Sequence, residues 1–393
     1  MMKVLHVTPS YYPALQFGGP IQSVRLLNKA LKHNGVDVKV LTTNAGLTSN
    51  PNIKVKTEYI IDDIPVVYMP FMGYEHYNLS LSFLVRVFQE VAKVDLVHIT
   101  AVWNFPVIAA TLACLWHNKP YVLSPRGTIY PETVAHRSSS LKKLYYKLIA
   151  QWSVKKADML HFTTSDEAES VTRYLNLKNP FCIIPNGLDL SLIPETSEGL
   201  KPNLEIPTNP YLLFLGRIDK KKGLDIFLPA FKNILQDFPD LTLWIIGPDN
   251  EHYSEILKQQ AKELSILNSL KFSDPIDGQQ KWKVYKNAKA FVLTSYSENF
   301  GMTVAEAMAC NCPILISNKV AIQEFLINPP GGWICDTTSS SIEENLRNLL
   351  SQPIERENRA RQAQRIVREN FNLQSLALKM ITAYHTILKS HVH

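Results

Sequence analysis

Short β-branched runs alternate with amphipathic stretches along most of this chain, and the alternation stops once and restarts. The first series is KVLHVTP (3–9), DVKVLTT (37–43), VVYMP (66–70), DLVHIT (95–100), YVLSP (121–125), MLHFTT (159–164) and FCIIPNG (181–187). The stretches between carry helical signals. PIQSVRLLNKALKHNG, for example, has Pro20 suited to a first helical turn and Gly35 to a C-terminal cap. Strands that alternate with helices require right-handed crossovers and a parallel sheet. The interruption, SLIPETSEGLKPNLEIPTNP (191–210), holds four prolines and little apolar periodicity, and reads as a linker. The pattern then resumes with YLLFLGR (211–217), LTLWIIG (241–247), LKFSD (270–274), AFVLTS (290–295), PILIS (313–317) and GWICD (332–336). The expected fold class is therefore α/β, with two doubly wound domains in tandem facing a cleft. The expected domains are 1–195 and 196–372, followed by a helical tail, LQSLALKMITAYHTIL, within 373–393.

Composition narrows the function class. A chain of 393 residues with 46% apolar residues has enough for two cores, which excludes a disordered or fibrous protein. Its net charge of +6 is far short of a dedicated nucleic-acid binder and suits phosphates or an anionic surface. The five cysteines, Cys114, Cys182, Cys310, Cys312 and Cys335, show no zinc spacing and read as buried thiols of a reducing, cytoplasmic setting. The N-terminus lacks a secretory signal, and the longest apolar stretch, Phe105 to Trp116, is too short to span a bilayer.

In open parallel sheets ligands bind beyond the C-terminal ends of the strands, so chemistry belongs in the loops that follow them. GRIDKKKG (216–223) follows one such strand. Arg217 supplies a guanidinium fork, Lys222 a point charge, and Gly223 opens a helix whose free N–H groups favour an anion. The plainer reading is a solvated basic turn, and Lys220 and Lys221 fit that reading. SYSENFGMTVAEAMA (295–309) follows another strand. Glu298 sits in its loop, Phe300, Gly301 and Met302 begin a helix, and Glu306 lies further along it, within reach of a ribose diol; both carboxylates are equally at home near a helix start for dipole reasons alone. FGGP (17–20) offers Gly18 and Gly19 for close backbone approach to phosphate, or is a plain turn. SPRGTIYP (124–131) puts Arg126 at a cleft rim, and PNGLD (185–189) reads as a hinge. FGGP is not G-x-G-x-x-G, and LTTN (41–44) stands where a ribose-binding acid would be, which counts against a dinucleotide.

Taken together and in this order, FGGP, PNGLD, GRIDKKKG and ENFGMTVAEAMACNCPIL resemble the retaining glycosyltransferases of family 4, which have the glycosyltransferase-B fold of two Rossmann-like domains. The likeness covers nearly the whole chain. It implies a donor-binding second domain, an acceptor-binding first domain, and a last helix that returns to the first domain. By the same resemblance Arg217 and Lys222 hold and stabilise the departing diphosphate of a nucleotide-sugar (a UDP- or GDP-sugar), and Glu298 faces the donor sugar. The N–H groups of Phe300, Gly301 and Met302, with Thr303, contact sugar hydroxyls or phosphate. Glu306 binds the ribose, and Gly18 and Gly19 close over the diphosphate. A paired Arg and Lys can neutralise the leaving group, and no Asp-x-Asp pair suggests a bound metal (Asp62 and Asp63 are adjacent), so neither a metal nor an obligatory cofactor is expected. The resemblance implies transfer with retention of configuration.

Two departures from the pattern bear on the donor sugar. Relatives often have a cleft histidine that orients the donor sugar where Arg126 stands, so by the resemblance Arg126 either takes over that donor-binding role or the role is absent; His98 is the nearest substitute and reads better as a packing residue. Gln323-Glu324 stands where relatives often carry glycines and Pro-Glu. The segment 136–158 has six Lys/Arg against one Asp and Leu141, Leu144, Tyr145, Leu148 and Trp152 at helical spacing. It reads either as a helix packed on the sheet or as a peripheral membrane contact beside a lipid-linked acceptor. The acceptor expected is a glycan, lipid-linked or small molecule, with no nucleic acid among the partners. Two rivals remain open: a nucleotide-sugar 2-epimerase of the same fold, and a non-catalytic carbohydrate-binding or scaffold protein.

Overall fold

The computed structural model describes residues 1–130, 150–194, 205–276, 278 and 280–391. Residues 136–149 of the basic segment therefore lie outside the described part, and with them the reading of that segment as a membrane-facing helix. The chain forms two compact units, Met1–Gly187 with Leu373–His393, and Leu188–Asn372. The division falls within PNGLD, ahead of the boundary placed at 195 from sequence: Leu188 N–H donates to the Phe371 carbonyl, and Leu188 belongs to the apolar core of the second unit.

The first unit holds an eight-stranded sheet of β1 (Lys3–Val7), β2 (Asp37–Thr43), β3 (Glu58–Ile61), β4 (Ile64–Met69), β5 (Leu96–Thr100), β6 (Tyr121–Ser124), β7 (Met159–Phe162) and β8 (Phe181–Ile183). Its order is β3-β4-β2-β1-β5-β6-β7-β8. All neighbours are parallel except β3 and β4, a hairpin turned at Asp62-Asp63, both at positive φ. The antiparallel edge was not anticipated from sequence, although two acidic residues between apolar runs are a hairpin signal. Its helices are α1 (Gly19–His33), α2 (Leu81–Val91), α3 (Phe105–Trp116), the short α4 (Gln151–Lys155), α5 (Ser165–Leu175) and α12 (Leu373–His391). The sheet is buried on both faces, as parallel sheets must be: Leu5 and Val7 join one apolar cluster with Phe83 and Val107, while Val4 joins another with Val24 and Leu31. Leu376, Met380, Tyr384 and Ile387 recur at helical spacing on α12 and complete that second cluster.

Three histidines lie inside the first unit where β1, β5, β6 and β7 meet α12. His6 and His98 are paired in register on β1 and β5 and stack with ring centroids 4.5 Å apart. His6 bonds Asn28 Oδ1 at 2.7 Å and Thr100 Oγ1 at 2.8 Å. His98 bonds the Tyr384 hydroxyl at 2.7 Å, and His161 bonds Ser124 Oγ at 2.6 Å and the Ile184 carbonyl at 2.9 Å. His98 is thus a fully buried packing residue. Burial pushes His6 and His161 down to about 3 and His98 well below the usual histidine range.

The second unit has a six-stranded parallel sheet of β9 (Tyr211–Leu215), β10 (Thr242–Ile246), β11 (Leu270–Ser273), β12 (Ala290–Leu293), β13 (Ile314–Ser317) and β14 (Trp333–Cys335), in the order β11-β10-β9-β12-β13-β14. Around it stand α6 (Leu224–Ile234), α7 (Tyr253–Glu263), α8 (Gln280–Asn287), α9 (Met302–Ala309), α10 (Ser339–Ser351) and α11 (Pro353–Asn370). In both units the strand order reverses beside the first strand, between β1 and β5 and between β9 and β12. These are the places where an open α/β sheet parts to receive a ligand. Among the described residues no helix is long and apolar enough to cross a membrane.

The buried histidines make the first unit acid-sensitive. Below about pH 6.5 the unfolded chain takes up protons that the folded histidines refuse until near pH 3. Stability should therefore fall as pH drops from 6.5, by about 1.4 kcal/mol per pH unit for each histidine at full effect. Calorimetric unfolding between pH 7.5 and 5 should show this slope, and His161→Gln should reduce it by about one proton. An unchanged slope in that variant would remove His161 from the account.

Candidate functional site

The loops after β9 and β12 are locked together by a close backbone approach. Gly223 has φ +68, and a Cβ there would overlap the Thr294 carbonyl oxygen. Thr294 Oγ1 donates to the Gly223 carbonyl at 2.9 Å, and Tyr296 N–H to the Lys221 carbonyl at 2.9 Å. The basic turn is thereby held against the end of β12. The result is a direct ion pair, in which Lys222 Nζ donates to Glu298 Oε2. Both side chains are mostly shielded from water. Burial alone would raise the Glu298 carboxyl, but the Lys222 charge and its hydrogen bond, with Lys221 and Arg217 nearby, hold it below the usual carboxylate range. Glu298 is also fixed through its backbone, donating to the Lys319 carbonyl at 2.9 Å and accepting from Ala321 N–H at 3.0 Å.

Arg217 stands apart from this pair. Its side chain is half exposed and its nearest acid is Asp219, with Nε 3.7 Å from Oδ2. Lys220 and Lys221 are exposed.

Helix α9 opens on Gly301, at φ +84, and no side chain caps its N-terminus. The first-turn N–H groups of Met302 and Thr303 are the part of this loop with partial positive charge and no side-chain acceptor. Phe300 is buried by its ring, which packs edge-on against Phe371 at 5.2 Å, so only its backbone faces the loop's chemistry. One turn on, Glu306 is buried and accepts from Lys281 Nζ at 2.7 Å and from the Tyr285 hydroxyl at 3.1 Å. Lys281 and Tyr285 were missed from sequence. Their signal was their spacing, four residues apart on one face of α8. Gln323 turns back to the Asn318 carbonyl at 2.6 Å.

In the first unit, Gly18 caps α1 at φ +85, and its own N–H is spent on the Leu15 carbonyl at 2.9 Å; Gly19 follows as the first helical residue. Arg126 corrects the sequence reading. It is not at a rim but buried, 9% exposed, with φ +54, and its Nη1 donates to Asn186 Oδ1. The five cysteines are unpaired, four of them buried and Cys182 partly so.

Residues 17–192 match the family described as Glycosyltransferase Family 4, and residues 197–366 match Glycosyl transferases group 1. Together these take in most of the sequence: the chain belongs to the group 1 glycosyltransferases. It is 25% identical, over 98% of each chain, to the uncharacterized glycosyltransferase MJ1607 of Methanocaldococcus jannaschii. Among solved structures it is similar to the sucrose-phosphate synthase of Thermosynechococcus elongatus (TM-score 0.78, 18% identity, 99% of this chain and 100% of that one). It is also similar to Anabaena HepE in complex with UDP and glucose (TM-score 0.77, 18% identity, 98% of this chain and 100% of that one). The fold is that of the two-domain α/β glycosyltransferases, glycosyltransferase-B.

The lock at Gly223 sets the site's geometry. Gly223→Ala places a Cβ on the Thr294 carbonyl in a left-handed conformation, and should cost about 1–3 kcal/mol. A melting temperature unchanged within a degree would show that the two loops are held by something else.

Proposed function

We propose that this chain moves a sugar from a nucleotide diphosphate sugar to an acceptor, with retention of anomeric configuration, and that the second unit carries the donor. The observation that supports this best is the pairing of Lys222 with Glu298 at the point where the strand order reverses beside an uncapped helix N-terminus. Fixed cations and free N–H groups there would meet a diphosphate without a metal. Cleaving a glycosyl–phosphate bond builds negative charge on the diphosphate, and a preorganised ammonium and guanidinium lower that cost. In the proposed reading Lys222 leaves Glu298, or is shared with it, when diphosphate enters. The exposed Arg217 swings in from Asp219, and the N–H groups of Phe300, Gly301, Met302 and Thr303 contact phosphate or sugar hydroxyls. Glu298 then accepts from donor-sugar hydroxyls. Glu306 receives the ribose diol with the lone pairs that Lys281 and Tyr285 leave open.

The first unit carries the acceptor in this reading, with Gly19 rather than Gly18 offering the N–H toward phosphate. The acceptor is a glycan, a lipid-linked sugar or a small molecule, and the setting is cytoplasmic. A UDP donor is favoured over GDP only by what HepE, a protein of the same fold, was crystallised with.

Thermal unfolding with UDP, GDP and ADP, with and without EDTA, tests the donor site by mass action. A selective shift that EDTA leaves unchanged is the expected result. Lys222→Ala should lower turnover at least about 100-fold, the usual scale for removing one preorganised charge, and Glu306→Ala should weaken nucleotide affinity about tenfold. Full turnover without Lys222 would end the diphosphate assignment. Anomeric proton signals of the first product, followed by NMR, decide retention.

A further inference from the structure

The first unit has its own opening at the reversal of strand order, lined by residues of that unit alone. Beyond β1 and β5 lies a cavity of about 170 Å³, room for roughly five or six waters. Thr8 and Ser10 line it from the loop after β1, Thr100 and Asn104 from the end of β5, and Arg126 from the loop after β6. Phe17, Pro20 and Ile21 make much of the remaining wall apolar, which suits the carbon face of a small ligand and leaves few polar groups to meet a charge.

Arg126 is the exception in this wall. It is 9% exposed, and its Nε, deep in the protein, has no hydrogen-bond partner. Among the described residues no carboxylate lies within ion-pair distance of it. The nearest compensating charge is Glu167, which acts on the guanidinium only from beyond ion-pair distance, its oxygens accepting instead from Gly127 N–H at 2.5 Å and from Thr163 N–H and Oγ1, both at 3.0 Å. Glu75, the acid that lines the cavity, accepts from Gly46 N–H at 2.6 Å and makes no ion pair with Arg126 among the described residues. The buried histidines stay neutral, so they add no repulsion to the guanidinium. Burial pushes the guanidinium down to about 10, the sign of a cation that lacks a full partner. Unpaired buried charges are costly and persist where something else compensates them.

We propose that the cavity takes an oxyanion, a carboxylate or a phosphate carried by the second substrate, with Arg126 as its partner. The proposal rests on the glycosyltransferase reading for the word substrate, and on the first unit alone for the site. It makes the acceptor an acidic or phosphorylated sugar rather than a neutral one.

The test uses the full chain, with UDP saturating so that the donor site is filled. Binding of glucuronate, glucose 6-phosphate and glucose is measured by calorimetry. The expected result is that at least one of the two acidic sugars binds ten times or more tightly than glucose. Arg126→Gln, which keeps a Cβ at the same left-handed position, should abolish that advantage, and Lys222→Ala should keep it. Whichever acidic sugar gains most names carboxylate or phosphate. Should Arg126→Gln not fold, Ala101→Asp serves instead. Ala101 lines the same cavity at φ +79, where an aspartate is tolerated. Its carboxylate should occupy the anion's place, raise the melting temperature and remove the advantage. Equal binding of all three sugars, an advantage that survives both first-unit variants, or one lost in Lys222→Ala but kept in Arg126→Gln would each overturn the proposal. If UDP does not bind, the donor reading fails, while the sugar measurements without UDP still decide the role of Arg126.

Discussion

Thr294 presents its carbonyl oxygen where any residue but glycine at 223 would carry a Cβ. That single approach joins the loops after β9 and β12, two strands adjacent in the sheet but nearly eighty residues apart in sequence. Without it the Lys222 ammonium would be one more solvated lysine beside Lys220 and Lys221. With it, one cation of the three is turned inward onto Glu298, whose backbone is fixed in turn to Lys319 and Ala321. The chemistry of the second unit depends on this order of events: a backbone contact selects which charge is buried, and the ion pair then fixes where a ligand's charge must go.

The two units handle charge differently. In the second, Glu298 has Lys222 and Glu306 has Lys281 for a cation, while Asp225 is held by the Tyr296 hydroxyl. Both pairs are complete without ligand, so an incoming diphosphate competes for groups already satisfied, and its binding energy is reduced by what the pairs give up. In the first unit Arg126 has an amide for its partner, and its Nε has nothing. A ligand there displaces no internal anion. The same burial that stabilises a filled pair leaves the guanidinium with a cost that Glu167 meets only from beyond ion-pair distance.

Much of this was legible in the sequence for one reason: a parallel sheet buried on both faces has to be written as short apolar runs, and those runs mark its strands. Thirteen of the runs are strands, whereas the hairpin edge at Glu58–Ile61 escaped because one short, half-exposed strand lacks that signature. Loops that follow strands were found by position, so Lys222, Glu298 and Glu306 stood out. Their contacts did not. That Glu306 meets Lys281 and Tyr285 depends on how α8 packs beside α9, a tertiary fact with only an i, i+4 spacing to announce it. On sequence alone, the position of SPRGTIYP after a strand puts Arg126 at a cleft rim, and arginine is mostly exposed. Its burial comes from the left-handed turn at 126 and from Asn186, sixty residues on, and neither can be read locally.

Glu306 limits what can bind beside α9. A carboxylate offers about four lone-pair directions, and two are taken, one by an ammonium and one by a phenol. What remains suits a group that donates two hydrogen bonds from neighbouring atoms and brings no charge, because Lys281 has already neutralised the acid. A vicinal diol meets that requirement. A second ammonium does not, since it would face Lys281 directly, and a phosphate does not, since at neutral pH it is mostly an acceptor and its charge would meet the carboxylate. The acid that the sequence puts within reach of a ribose diol is a neutralised acceptor, and in the proposed reading a diol's two hydroxyls would take the directions that the lysine and the tyrosine leave open.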